Sequence, residues 1–535
     1  MVFTLHRYIF RETFKVFVLA TVSLTLILSL GSILQPVQEY GVGPRQVVHL
    51  MGYFLPITLT FVLPMAALFA AALVYGRFAS DNELDACRAS GISLLTLVYP
   101  GVALAIMVAI ANLILSFYVV PAFVQRAEKS LHADAKQILF RNVQRRGFYS
   151  LPPDDSYRIY ADLADPERDS LSGVIVTEAK NAEIKRIITA ENAKISFIPH
   201  DNFNEVQIRA SNTYQMGGED EGWFFIKGLL LSKEFPSLLG DDIKFKKIGE
   251  MKKIQADPML FYPIAKLARE TYAQFTTELL VQDISEKITE GKGSFYKLYS
   301  NDEFVEFTAG GCSSVSDEKK ILLSGEIVVI ESDVANRRLL RTLWAAKAFV
   351  HLEGDELAPT LTMEIYNPRW QDADGSEGLA QRHIIRGLIM PRSVTDKFTT
   401  TDVLKVISSA STAAALEGGP SAALVKMQDK LRSKIQITMA EIKAEKHSRL
   451  VFGTGCVTLI MIGIGLGIIL KGGHLLSAFG ASSVPAAALI VCIMMGRNIT
   501  KNPGAQAGSG IVLMWAGLVI LSVGAVALYR KLLKN

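Results

Sequence analysis

The chain has 535 residues, half of them hydrophobic and 20% charged, with a formal net charge of +4. That balance excludes a disordered polar chain and carries too little positive charge to point to nucleic acid. Four cysteines, Cys87, Cys312, Cys456 and Cys492, stand at no metal-ligand spacing; only Cys312 lies in the polar middle, so no intrachain disulfide framework is expected there.

Six apolar runs are long enough to cross a hydrocarbon core, which takes about 20 helical residues: 16–34, 51–75, 94–120, 450–470, 475–495 and 511–529. A single run of this kind also reads as a buried core helix. Six nearly uncharged ones, grouped three and three, argue for a polytopic α-helical membrane protein. His6, Arg7, Arg11 and Lys15 precede the first run, which is too long for a signal-peptide core and lacks a small-residue cleavage site, so a retained anchor is expected. Those basic residues, with Arg530, Lys531 and Lys534 at the other end, predict that both termini are cytoplasmic. Arg45, in the first outer loop, and Arg497 with Lys501 pull the other way. In this orientation the loop RFASDNELDACRASGIS (77–93) and the turn KGGH (471–474) are cytoplasmic, and residues 121–447 lie outside.

The loop between the second and third runs is unusually well punctuated. Ser80, Asp81, Asn82 and Glu83 fit a capping box, with the Ser80 hydroxyl and the Glu83 carboxylate each serving the other's backbone amide. Asp81 and Glu83 sit where a helix start favours negative charge. Leu84, Cys87 and Arg88 follow at helical spacing, and Gly91 suits a left-handed closing position. A short helix over 80–91 is therefore expected. It is either a rigid turn under the bundle or a coupling helix that docks in a cytoplasmic nucleotide-binding subunit; a rigid helix transmits movement that a floppy loop does not.

Residues 124–144 extend the third run outward. Beyond them come strand-like segments rich in β-branched and aromatic residues, among them YRIYADL, SGVIVTEA, GWFFIKGLLL and ILLSGEIVVIE. This region repeats itself. FYSL (148–151) recurs as FYKL (295–298), LSGVIV (171–176) as LSGEIV (323–328), and TAENAKISF (189–197) corresponds to LWAAKAFVHL (343–352), in one order. Two related β units are expected, at about 148–214 and 295–367. Helical segments are predicted at 258–291 and at 418–447, the second leading into the fourth run. In that run Gly463 and Gly467 form a small-xxx-small pair, the spacing of close helix packing and one that a lateral gate would also need.

No catalytic constellation is present. The histidines make no metal-binding motif, EGKGS (290–294) lacks the rest of a phosphate-binding loop, and Glu219 with Asp220 reads as surface charge on a turn. No enzyme, metal or cofactor is expected; work across a membrane would draw on a partner.

The chain resembles the LptF/LptG (YjgP/YjgQ) permease family, the transmembrane subunits of the lipopolysaccharide-export ABC transporter. The resemblance rests on HRYIFRETFKVF before the first run, on LFAAALVYGRFASDNELDACRASGISLLTLVYP, on SFYVVPAFVQRAEKSL leaving the third run, and on KAEKHSRLVFG entering the fourth. It implies residues 1–123 as three spans with the coupling helix, 124–447 as a periplasmic all-β insertion of jellyroll type, here duplicated, and 448–535 as three further spans in the bacterial inner membrane. It also implies partners: an LptB-like ATPase that binds the ATP, a homologous permease or a second copy, an LptC/LptA-like periplasmic bridge, and lipopolysaccharide or a related glycolipid. Glu83 matches the family's acidic residue at the ATPase interface. Family members are usually shorter, and the duplicated β unit, as a second jellyroll or as one greatly enlarged, would account for the difference. Where the family often has a basic residue at the outer end of the first span, this chain has Gln35, Gln38 and Glu39, with Arg45 the first positive charge; either Arg45 takes over the contact with lipid phosphate or the substrate is a different glycolipid. A mechanotransmission protein that joins an ATPase to an outer domain without moving lipid, and a membrane-anchored binding protein with no ATPase, are the alternatives.

Overall fold

The computed structural model describes residues 2–40, 44–151, 157–180, 183–199, 203–216, 223–236, 242–289, 295–300, 303–315, 320–333, 338–353, 360–396, 402–470, 475–502 and 507–534, with the side chains of 30–40 and 44–51 outside that description. The turn at 471–474 and the segments holding Glu219, Asp220 and 290–294 also fall outside it. Contacts divide the chain into two compact units, Pro258–Ile435 and the remainder.

The first unit begins with α1 (Val2–Tyr40), α2 (Pro44–Ser80), α3 (Glu83–Ala89) and α4 (Leu94–Ile114). One wide π turn, Leu115–Val119, joins α4 to α5 (Val120–Arg146), which closes at Gly147 with φ +78°. Alanines and β-branched residues let these helices approach closely. Ile9, Val62, Ala66, Ala70, Val74, Tyr75, Leu97 and Ile464 share one core. Prolines inside the helices leave carbonyls without their usual donor, because residue i cannot serve the carbonyl of i−4. Two of these carbonyls are served from a neighbouring helix. The Asn112 amide of α4 donates to Thr60 O at 2.6 Å, the carbonyl that Pro64 leaves free in α2. His6 Nε2 of α1 donates to Thr96 O at 2.9 Å, which Pro100 leaves free in α4.

After α5 the chain lays down β1 (Phe148–Leu151), β2 (Tyr157–Asp165), β3 (Ser170–Lys180), β4 (Glu183–Pro199), β5 (Phe203–Met216) and β6 (Trp223–Pro236), each strand hydrogen-bonded to the next in an antiparallel meander. Inward side chains of the sheet, such as Ile159, Val174, Val176, Ile188, Val206 and Ile208, pack with Leu139, Phe140 and Val143 of α5. A 3₁₀ turn (Ile243–Phe245) and α6 (Ile248–Ala256) follow.

The second unit opens with α7 (Tyr262–Thr289). It continues with β7 (Tyr296–Tyr299), β8 (Glu303–Thr308), β9 (Gly311–Val315), β10 (Lys320–Asp333), β11 (Leu339–Glu353), β12 (Thr360–Tyr366), β13 (Arg369–Asp372), β14 (Glu377–Leu379) and β15 (Arg382–Ile389). Leu260, within the helical segment predicted at 258–291, instead lies in a separate 3₁₀ turn and is exposed. Phe275, Leu279, Leu280 and Ile284 of α7 pack on Val305, Phe307, Ile327, Val329, Val350 and Met363. Three short helices, α8 (Arg392–Thr395), α9 (Val403–Val406) and α10 (Ser409–Ala415), lead to α11 (Ala422–Ile469), followed by α12 (Leu475–Lys501) and α13 (Ala507–Lys534).

The duplication extends to both whole sheets. A helix precedes six strand positions in each, and β8 with β9, β12 with β13, and β14 with β15 are single strands of the first sheet broken in two. The breaks fall where left-handed residues kink both copies: Gly173 (φ +63°) against Gly325 (φ +90°), and Asn212 (φ +50°) against Asn367 (φ +48°). At Gly325 a Cβ would lie 2.9 Å from the Gly310 Cα, so only glycine allows the two strands to meet. The sheets differ in closure. Tyr299 of β7 pairs with Ile389 of β15, which, with the β10–β11 pairing, joins the second sheet into a ring. Among the described residues no pairing joins β6 to β1.

Among the described residues six helices are long and apolar enough to cross a membrane: Phe3–Ser29, Phe54–Ser80, Leu94–Lys129, Ala422–Ile469, Ser483–Lys501 and Gly508–Lys534. The chain is thus a six-span helical membrane protein with a large β-rich insertion. Arg497 and Lys501, which opposed the predicted orientation, are paired with acids on α11. Arg497 lies 2.8 Å from Glu445 Oε2, and Lys501 meets Glu441. Glu445 also accepts from Arg449, at 2.9 Å, while Arg449 donates to the carbonyl of Lys244 at 2.7 Å.

Candidate functional site

The loop between α2 and α4 is built differently at its start than the sequence suggests. α2 runs through Ser80, and the Asp81 amide still donates to Arg77 O at 2.8 Å. Ser80 is therefore helical and cannot cap the next helix, so the capping box of Ser80 and Glu83 does not form. Burial of Phe78 and Ala79 carries α2 past the expected break. The chain turns instead at Asn82, which takes φ +54° and caps α3 through its backbone alone, its carbonyl accepting from Ala86 N–H at 3.0 Å. Asparagine is one of the few residues that tolerates this conformation.

The other end forms as expected. Gly91 takes φ +82°, its amide donates to Arg88 O at 2.9 Å, and the Ile92 amide donates to Cys87 O at 3.1 Å. These two bonds make a Schellman closure. Ser93, unremarked in the sequence, then caps α4, accepting from Thr96 N–H at 3.3 Å.

α3 is seated by one side chain. Leu84 is 5% exposed and shares a core with Ile9, Phe78, Leu94 and Leu97, while Cys87 and Ile92 pack against that core half-buried. Ser80, Asp81, Glu83, Arg88 and Gly91 are exposed. Neither Glu83 nor Arg88 forms an ion pair among the described residues, so a fixed helix presents an unpaired acid and an unpaired base. Of the residues singled out in sequence, Arg88 does not share the buried face of Leu84.

The other predicted sites lie apart from this loop. Gly463 and Gly467 sit where α11 crosses α2: a Cβ on Gly463 would meet Leu68 O at 2.7 Å, and one on Gly467 would meet Ala72 O at 2.5 Å. They pack two spans backbone to backbone. Arg45 falls in the first turn of α2, and its side chain, like those of Gln35, Gln38 and Glu39, lies outside the described residues.

A second feature had no signal in the sequence. At one end of the first sheet's inner face is a cavity lined by Val176, Ile188, Val206, Ile208 and Leu231, with Tyr157, Glu178, Arg186 and Ser232 as its polar part. Arg186 donates to Glu178 Oε2 through Nε (3.1 Å) and Nη2 (2.7 Å), and the Tyr157 hydroxyl donates to the same carboxylate. Burial, reinforced by that carboxylate, pushes the Tyr157 hydroxyl above its ordinary pKa. The second sheet carries Glu331 opposite Arg341 at the matching register. There the acid is 2.6 Å from His383 Nε2 and Arg341 pairs with Asp372. Only cross-strand register brings these residues together, which is why spacing along the chain did not reveal them. Among the described residues no cluster of His, Cys, Asp or Glu is arranged to hold a metal ion.

In comparison with known protein families, residues 7–224 fit the family model described as lipopolysaccharide export system permease LptF/LptG. The match takes in α1 to α5 and the first sheet as far as the start of β6, and leaves the second β unit and the last three spans outside it. No curated protein matches the chain.

Proposed function

We propose, from the fit of residues 7–224 to the LptF/LptG family of lipopolysaccharide export permeases, that the chain is a member of that family and the permease subunit of an ABC transporter driven by a separate cytoplasmic ATPase. In this reading it sits in the inner membrane with both termini cytoplasmic and the β units periplasmic. It pairs with a homologous permease or a second copy, draws lipopolysaccharide or a related glycolipid from the membrane, and passes it to a periplasmic bridge protein. ATP is bound by the partner, and this chain needs no cofactor of its own.

One observation carries the coupling role. Leu84 fixes α3 in the core of three spans while Glu83 and Arg88 stay exposed and unpaired. A docking subunit that engages Glu83 therefore pushes on a rigid body. The apolar cavity of the first sheet, with Arg186 and Glu178 in its wall, suits an acyl chain that ends in a polar group. Arg45 is assigned to lipid phosphate on the strength of its position.

Affinity purification of the tagged chain in mild detergent, with mass spectrometry of bound proteins and lipids, tests this reading. A P-loop ATPase, a related permease and a phosphorylated glycolipid are expected. Glu83→Ala should lower ATPase recovery about tenfold, the size of a lost charge-assisted hydrogen bond, with the fold intact. Unchanged recovery together with unchanged lipid export would remove the coupling assignment.

A further inference from the structure

The first turns of α1 touch both flanks of the α3 loop. On the α2 side, Tyr8 stacks on Phe78 with ring centres 5.7 Å apart, and Glu12 lies 3.7 Å from Arg77. On the α4 side, His6 Nε2 donates to Thr96 O at 2.9 Å, and its ring meets Tyr99 edge-on at 6.4 Å. Between these contacts Ile9 is buried in the core that holds Leu84.

Thr96 O is no ordinary acceptor. Its donor in a regular helix would be the amide of residue 100, which is proline. A carbonyl accepts only, so Nε2 must carry the proton, and the bond ties α1 to the first turn of α4 three residues beyond Ser93, the N-cap that follows the loop. Breaking it would leave a carbonyl with no helical donor.

We infer that His6 is a positioning residue of the coupling machinery: it locks α1 to α4 at the carbonyl freed by Pro100, so that a displacement of α3 moves span one together with spans two and three. The inference rests on the coupling-helix reading of α3. A purely structural His6 would do no more than satisfy Thr96 O, and the proline allows the two roles to be separated. Pro100→Ala returns an amide to Thr96 O within α4 but does not restore any link to α1.

Four versions of the full chain in lipid nanodiscs make the test: the parent, His6→Ala, His6→Gln, and His6→Ala with Pro100→Ala. Hydrogen exchange over residues 2–12, without ATPase, reads the tie. Lipid released per ATP hydrolysed, with the copurifying ATPase added, reads coupling. His6→Ala should speed exchange about fivefold, as expected for one lost hydrogen bond, and lower lipid released per ATP by a similar factor while the ATPase still binds. His6→Gln, whose amide can donate to the same carbonyl, should recover both. The double variant should recover the thermal stability of the parent and leave coupling low. Unchanged exchange in His6→Ala overturns the tie, and full coupling in the double variant overturns the positioning role. If the parent binds no ATPase while exchange still responds to His6→Ala, the coupling-helix reading fails and takes the positioning role with it, leaving only a packing contact.

Discussion

Asn112 illustrates how single residues hold this bundle. Its amide is the donor for Thr60 O, and the surroundings are apolar, so Asn112→Ala should cost about 1–2 kcal/mol in a thermal unfolding experiment on the full chain. Pro64→Ala added to that variant should return most of the loss, because residue 64 would again supply an amide to Thr60 O. A double variant no more stable than Asn112→Ala would show that the carbonyl is not what Asn112 serves. In the second unit, burial lowers the pKa of His351 from the ordinary 6.5; Lys320 and Arg382 act in the same direction, while Glu364 and Glu353 oppose them. The folded state therefore holds this ring neutral where the unfolded chain would already be protonated. Its contribution is complete above pH 6.5 and is lost as pH falls from there through the lowered folded-state pKa. Exchange of β11 and β12 should thus accelerate between pH 7.5 and 5.5 relative to His351→Phe measured at the same pH. Equal acceleration in the two proteins would exclude His351 as the cause.

Among the elements, α2 and α11 depend on absent side chains. A Cβ on Gly467 would fall 2.5 Å from Ala72 O and 3.0 Å from Gly76 N, both backbone atoms that no rotamer change can move. Gly467→Val should therefore push the helices apart at a cost of about 1–3 kcal/mol, seen as a lower melting temperature. Gly524→Ala on α13 meets nothing within 4 Å and should leave it unchanged or slightly raised. Equal melting temperatures for parent and Gly467→Val would mean that this crossing is looser than described. Legibility follows the same division. The spans, the closing Gly91 and the small-residue pair were readable because hydropathy, φ preference and spacing are properties of a local stretch. The start of α3 was misread because Ser80 fits a cap by local rules, while burial of Phe78 and Ala79 carries α2 one turn further. His6 and Thr96 were missed because they are 90 residues apart. A proline inside an apolar helix was the available clue, since it announces a carbonyl in need of a donor without saying which helix provides one.

For the molecule as a whole, the repeat was visible in three short matches, yet its full extent was not. Broken strands in one copy correspond to continuous strands in the other, and only pairing reveals that β14 and β15 repeat β6. Closure was equally hidden, since the ring depends on one register pair, Tyr299 with Ile389. That pair also sets the order in which the chain can acquire structure during synthesis. Each strand of the first sheet pairs with its successor in sequence, so that sheet can grow one hairpin at a time as the ribosome delivers it. The second cannot complete its ring until residue 389 has followed residue 299, and non-local pairing of this kind is slow. Nascent chains halted shortly after residue 236 should already protect the amides of β2 to β5, whereas chains halted before residue 382 should leave the ring incomplete at β7. The two copies share a blueprint and differ in when each can be finished.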